Sequence, residues 1–292
     1  MTTLLQPAET DFSDLQLRVI HPETQTVPLV VASPHSGRNY SSAFVAASRL
    51  DAHTLRRSED CLVDELLAGA ASGGFPLLIA DFPRAFCDVN REQWELDPAM
   101  FADTLPDWCN TRTARVCAGF GTIARQVASG QPIYNGKLLF ADAEDRIRTC
   151  WEPYHAHLAA LLRQTEDRFG VAVLVDCHSM PAEDTLNRHE PDFVLGDAHG
   201  SACHPLLTRT AHEFLEQNGY SVRRNDPYAG GYVTRFYGRP RLNRHALQIE
   251  ISRRLYLDQQ TYRKRHGFEA VRHTLDGLLR TLGEAAGTLP VT

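Results

Sequence analysis

A chain of 292 residues with 43% hydrophobic and 23% charged residues has the composition of a globular protein able to bury a large core. A formal charge of −6, without a long basic run, argues against a nucleic-acid partner. No apolar stretch approaches bilayer-spanning length, so no membrane partner is expected.

In chain order, the first ten residues lack a basic segment followed by an apolar one, so no secretory signal is expected. Short runs rich in Val, Leu and Ile predict strands at Leu15–Ile20, Pro28–Ala32, Pro76–Asp81, Val171–Asp176, Tyr220–Arg223 and Ala246–Ile251. Helices are expected between them. Ser58–Gly69 starts with a Ser cap and two acids, and Asp142–Phe169 carries apolar residues at helical spacing around an interrupting Pro153. His204–Asn218 runs up to Gly219, a natural terminator, and a last helix is expected over Gln259–Leu282. Strands alternating with helices predict an α/β fold with a mixed, largely parallel central sheet. No repeat or long linker stands out, so a single domain over 1–292 is expected. Its irregular stretch at about 91–137 has the character of an active-site insertion. The seven cysteines show no C-x-x-C spacing and fit reduced thiols in a cytoplasmic protein.

Two of the predicted strands each deliver a histidine, Val27-Pro-Leu-Val-Val-Ala-Ser-Pro-His35 and Val171-Ala-Val-Leu-Val-Asp-Cys-His178. Ligand crevices of open α/β sheets lie beyond the carboxyl ends of the strands, so the pair points to a metal or acid/base site. Most of the 13 histidines are expected to be structural, and His35 and His178 stand out by their shared context. Cys177, next to His178, alternates to the opposite face and reads as core packing. Glu250 lies in the alternating strand Ala246-Leu-Gln-Ile-Glu-Ile-Ser, where a carboxylate needs a partner or a purpose. It is the candidate general base; a wet edge strand is the alternative. In the segment Arg84 to Arg91, which also carries Asn90, the arginines offer donor forks suited to binding a carboxylate and Asp88 can hold one of them in place; a surface ion-pair cluster is the alternative. Two histidines leave a catalytic zinc site one ligand short, and Glu59 or Asp60 is the natural acidic donor. Gly119-Phe-Gly121-Thr-Ile-Ala124 matches a dinucleotide fingerprint only superficially, because no strand precedes it.

The ordered motifs Ser33-Pro-His-Ser-Gly37, Asp60-Cys-Leu-Val-Asp64-Glu-Leu, Arg84 with Asp88-Val-Asn-Arg91, and Pro132-Ile-Tyr-Asn-Gly-Lys-Leu continue through Trp151-Glu-Pro-Tyr-His155 and Asp176-Cys-His-Ser-Met180. They end with Gly230-Gly-Tyr-Val-Thr-Arg-Phe-Tyr-Gly-Arg-Pro240 and Leu247-Gln-Ile-Glu-Ile251. From about Val31 to Tyr256 the chain thereby resembles the N-formylglutamate amidohydrolases (deformylases). The resemblance implies a three-layer α/β/α fold akin to zinc carboxypeptidases and aspartoacylases. It also implies a divalent metal, foremost zinc, on His35 and His178, with Glu250 activating water. Arg38 stands where the carboxypeptidase relatives place an acidic ligand, so the third ligand must come from elsewhere, and Asp60 is preferred over Glu59. Asp88-Val-Asn-Arg91 looks like the aspartoacylase motif that binds the carboxylate end of the substrate; Arg84 and Arg235 are expected to join Asn90 and Arg91.

The activity so implied is hydrolysis of N-formyl-L-glutamate, a small-molecule substrate, to formate and L-glutamate, as in histidine degradation. Two rivals remain: a metal-dependent hydrolase of other N-formyl or N-acyl amino acids, carboxypeptidase-like enzymes included, and a metal-free binding protein for carboxylate metabolites. The oligomeric state is left open.

Overall fold

A computed structural model describes residues 17–127, 130–181 and 190–290. The chain forms two compact units. Among the described residues, one comprises 17–18, 35–59 and 80–157, and the other 19–34, 60–79 and 158–290.

The second unit is organised by a sheet. Its strands in chain order are β1 (Leu17–Ile20), β2 (Leu29–Ser33), β3 (Leu77–Ala80), β4 (Ala172–Met180), β5 (Phe193–Gly196), β6 (Val222–Arg224) and β7 (Arg244–Ser252). They lie in the spatial order β1-β3-β2-β4-β7-β5-β6. β2 is parallel to β3 and β4, β4 to β7, and β5 to β6, while β5 runs antiparallel to β7. The fold is therefore α/β with the mixed, largely parallel sheet expected. β4 and β7, nine residues each, are its longest strands and pair along their whole length. Leu29, Val31, Val173, Val175, Cys177, Leu247, Ile249 and Ile251 share one core with Leu275, Leu278 and Leu282 of the helix Phe268–Gly287. Parallel strands buried on both faces need such continuous apolar runs. Cys177 is in that core, as its alternation with His178 predicts.

In the first unit the stretch 91–137 is irregular among its described residues, as expected, with short helical turns such as Pro98–Met100 and Ala114–Cys117. Arg146 lies buried there with its guanidinium over the rings of Phe86, Tyr134 and Phe44, donating to the Tyr134 hydroxyl at 2.6 Å.

Several element boundaries differ from expectation for identifiable reasons. The first two residues of the strand expected from Leu15 lie outside the described residues, and β5 had no strong sequence signal. The helix expected over Ser58–Gly69 reduces to Val63–Leu66, because Glu59 is extended and Leu62 adopts a left-handed φ of 63°. The two acids expected to cap that helix are instead buried in ion pairs. The last helix starts at Phe268 rather than Gln259, since Leu257–Asp258 and Arg263–Lys264 form a small hairpin first. Pro153 does not end the helix expected over 142–169. Helical backbone runs from Phe140 to Phe169, widened to a π turn over Ile147–Trp151. Proline has no N–H to satisfy the carbonyl four residues earlier, and a widened turn absorbs that loss. The helix Pro205–Gln217 matches expectation closely: Nδ1 of His204 accepts from the Leu206 N–H, and Gly219 follows at φ 84°.

His245, on β7, is buried, and its Nδ1 has no hydrogen-bond partner. Burial, and then the neighbouring His204, lower its pKa to about 4. The unfolded chain takes up this proton near a pH of about 6.5, while the native state resists it. The associated stability is complete above that pH and is lost as pH falls toward 4. In urea titrations between pH 7 and 4, His245→Gln should lose less stability than the parent; parallel slopes would refute this assignment.

Candidate active site

In the first unit, chain continuity from β2 through Pro34 delivers His35 at the carboxyl end of that strand. Gly37 makes a close turn possible there: a Cβ would lie 2.1 Å from the Phe82 carbonyl oxygen. His35 Nε2 contacts Asp88 Oδ1 at 2.7 Å, and the same carboxylate accepts from Arg84 Nη2 at 2.8 Å. Arg91 Nη2 stands 3.6 Å away, and the Asn90 N–H donates to Asp88 Oδ1 at 2.9 Å. The structure thus gathers His35, Arg84, Asn90 and Arg91 around one buried acid. Burial alone would raise the Asp88 pKa, but Arg84, Arg91 and His35 overcome it and hold the carboxyl well below its usual range. Arg91 also donates to the carbonyls of Phe120 (2.7 Å) and Asn90 (2.8 Å), and burial brings its pKa down to about 10 despite Asp88. Glu59 in this unit is buried and receives Arg56 Nε on both oxygens, at 3.0 and 3.1 Å.

In the second unit, β4 ends in Asp176-Cys-His178. Both ring nitrogens of His178 contact carboxylates, Nε2 with Asp176 Oδ2 and Nδ1 with Asp60 Oδ2, each at 2.9 Å. The other Asp60 oxygen accepts from Ser179 Oγ and Arg253 Nη2, both at 3.3 Å. Arg253 Nε also donates to Ser179 Oγ at 3.0 Å. Asp176 Oδ1 is buried without a hydrogen-bond partner. Burial disfavours charge on His178, but the Asp176 and Asp60 carboxylates outweigh it and raise the pKa well above 6.5.

Glu250 is buried on β7 in direct register with His178 on β4. Side chains at paired positions of neighbouring parallel strands project from the same face. Gln248 Nε2 donates to Glu250 Oε1 at 2.8 Å, and Gln248 Oε1 accepts from the Gly231 N–H at 2.7 Å. A buried acid and a buried imidazole thus stand side by side at a strand end, with the acid held by an amide. Arg235 does not join them: it is exposed on the helix Tyr232–Tyr237, and its Nη1 donates to the Gly230 carbonyl at 2.8 Å.

A family model described as N-formylglutamate amidohydrolase matches residues 27–257. The chain belongs to that family. It is 30% identical over 240 residues to the N-formylglutamate deformylase of Pseudomonas aeruginosa, covering 80% of this chain and 84% of that protein. The N-formylglutamate deformylase of Pseudomonas putida is 28% identical over 246 residues, covering 82% and 86%. Among solved structures, the N-formylglutamate amidohydrolase of Ralstonia eutropha JMP134 superposes with a TM-score of 0.87 at 35% identity, over 92% of this chain and 97% of that one. The gene product Atu2144 of Agrobacterium tumefaciens shares the fold at 16% identity, with a TM-score of 0.65 over 94% and 95% of the two chains. This member of the amidohydrolase family is accordingly a hydrolase.

Sequence reasoning missed three partners in this amidohydrolase. Asp88 was read as an arginine holder and also engages His35. Asp176 stood only inside a motif, and its position two residues before His178 on one strand was a usable signal. Arg253, just after the Glu250 strand, carried no signal that separates it from a surface arginine.

Asp88→Asn removes the charge shared by His35, Arg84 and Arg91. It should cost about 3 to 5 kcal/mol in urea denaturation, the usual penalty for breaking a buried pair. A loss below about 1 kcal/mol would show that the pairs contribute little.

Proposed function

We propose that this protein hydrolyses N-formyl-L-glutamate to formate and L-glutamate with the help of a divalent metal, zinc foremost, as the work of one cytoplasmic hydrolase domain in histidine degradation. The observation that carries the reading is the register of His178 with Glu250 on adjoining strands. Family membership and the names of the Pseudomonas and Ralstonia relatives support the substrate. No described helix is long and apolar enough to cross a membrane.

The proposed ligands are His35, Asp60 and His178, three buried residues whose donor types suit zinc. Their surroundings fit such a role. Each histidine contacts a carboxylate through Nε2, Asp88 for His35 and Asp176 for His178. An outer carboxylate of this kind fixes the tautomer and turns Nδ1 toward a metal. Asp60 is favoured over Glu59 because it contacts His178, whereas Glu59 is taken up by Arg56. When bound, a divalent cation supplies Lewis acidity that polarises the formyl carbonyl and acidifies water.

Glu250 takes the proton from the attacking water and returns it to the departing amine nitrogen. Gln248 steadies the Oε1 side of that carboxylate. Arg84, Asn90 and Arg91 bind the substrate carboxylates, with Arg235, exposed on a helix that buries Val233, Thr234 and Tyr237, as a further contact, so that the amide is presented in one orientation.

Formate release from N-formyl-L-glutamate, measured with and without chelation and zinc or cobalt add-back, tests the reading. Glu250→Gln should lower kcat by about 10²- to 10⁴-fold with the metal still bound. Activity that survives chelation, or a Glu250→Gln variant at full rate, would overturn it. Cleavage of other N-acyl amino acids in place of formylglutamate would keep the chemistry and reject the substrate. Metal affinity should also depend on pH. His178 has to lose a proton to bind, and its pKa is raised, so affinity falls as pH drops below that value, about tenfold per pH unit. Chelator competition between pH 6 and 8 measures this, and a flat profile argues against His178 as a ligand.

A further inference from the structure

The motif Trp151-Glu-Pro-Tyr-His155 carries part of the family resemblance, yet no step of the proposed reaction uses it. Its side chains converge on the segment that bears Asn90 and Arg91. Trp151 Nε1 donates to the Arg91 carbonyl at 3.0 Å, and His155 Nε2 donates to the Val89 carbonyl at 2.9 Å. The two carbonyls flank Asn90. A third tie follows immediately, from Gln93 Nε2 to Glu152 Oε1 at 2.9 Å. The Trp151 and His155 rings lie against each other, tilted by 34° with centroids 3.9 Å apart. His155 is buried, and Trp151 is half-buried against the segment it holds.

The helix is built unusually to make this grip. The π turn over Ile147–Trp151 ends at Trp151, immediately before Glu152 and the N–H-deficient Pro153. A π turn rotates the residues after it relative to an uninterrupted α-helix, and such turns recur at functional sites. Here it sets Trp151 and His155, four apart and on one face, toward the loop.

We infer that Trp151 and His155 are positioning residues: together they fix the backbone on either side of Asn90, and so set the aim of the Asn90–Arg91 pair that receives a substrate carboxylate. Asp88 works from the other side through the Asn90 N–H. The segment is thereby held from both sides, in a stretch that otherwise lacks regular structure. The inference rests on the proposed carboxylate-binding role of Asn90 and Arg91. The grip itself rests only on the hydrogen bonds.

The test uses the full-length, metal-loaded protein and the variants Trp151→Phe, His155→Phe and His155→Gln. Trp151→Phe keeps a ring against His155 and removes the donor; His155→Gln keeps a donor. Two readouts are taken: steady-state kinetics on N-formyl-L-glutamate, and hydrogen–deuterium exchange of the peptide spanning residues 86–93. Trp151→Phe and His155→Phe should each raise KM about tenfold with kcat changed far less, and should speed exchange in that peptide alone. His155→Gln should restore most of both. Exchange and KM at parent values would overturn the inference. So would a fall in kcat and a rise in exchange spread over the whole chain, which is the signature of a merely structural role. If the parent protein does not cleave formylglutamate, the proposed function fails, and exchange alone then decides whether the grip exists. Local loosening with unchanged KM would keep the grip and reject its link to substrate binding.

Discussion

Each unit of this protein buries carboxylates, and ionised acids are tolerated away from water only where cations and donors surround them. That constraint explains more of the local structure than any propensity does. In the first unit Asp88 draws an imidazole, two guanidinium groups and a backbone N–H to itself. In the second, His178 is held between Asp60 and Asp176, and Arg253 completes the neutralisation of Asp60. The chain around Asp60 bends to satisfy this pairing. The helix expected over Ser58–Gly69 gives way there to an extended Glu59 and a left-handed Leu62, and both acids are buried in ion pairs.

The apolar architecture was legible in the sequence for a simple reason. The run Val171–Asp176 is apolar on both faces, as a strand inside a largely parallel sheet requires, whereas Ala246–Ile251 was legible through its alternation and lies between parallel β4 and antiparallel β5. The helix ending before Gly219 was equally plain, since its cap and terminator are local. β5 escaped notice because Phe193-Val-Leu-Gly196 offers only three apolar residues in a row, too few to set it apart from a loop. The late start of the last helix escaped for a similar reason, as a two-residue pairing between Leu257–Asp258 and Arg263–Lys264 is invisible to periodicity.

The candidate site was legible to the extent that chemistry accompanies a strand end. His35, His178 and Glu250 stand out because ionisable groups are rare in such apolar company. Their supporting partners do not. Arg253 and Gln248 are ordinary residues until the register between β4 and β7 is known. The aromatic motif at Trp151 was visible as a pattern, but its target at Val89 and Arg91 lies about sixty residues upstream and is reached only through the fold.

The alternation along β4 has an inorganic consequence. Cys177 and His178 are adjacent, and the pleat sends the thiol into the apolar core while the imidazole meets Asp60 and Asp176. Burial pushes the Cys177 thiol pKa well up, so this sulfur stays protonated and shut away from solvent. A slip of one residue in β4 would exchange the two, offering a soft sulfur donor where a borderline nitrogen now stands. The nine-residue pairing with β7 therefore does more than hold the sheet together. It keeps the Cys177 sulfur on the opposite side of the strand from the His178 imidazole.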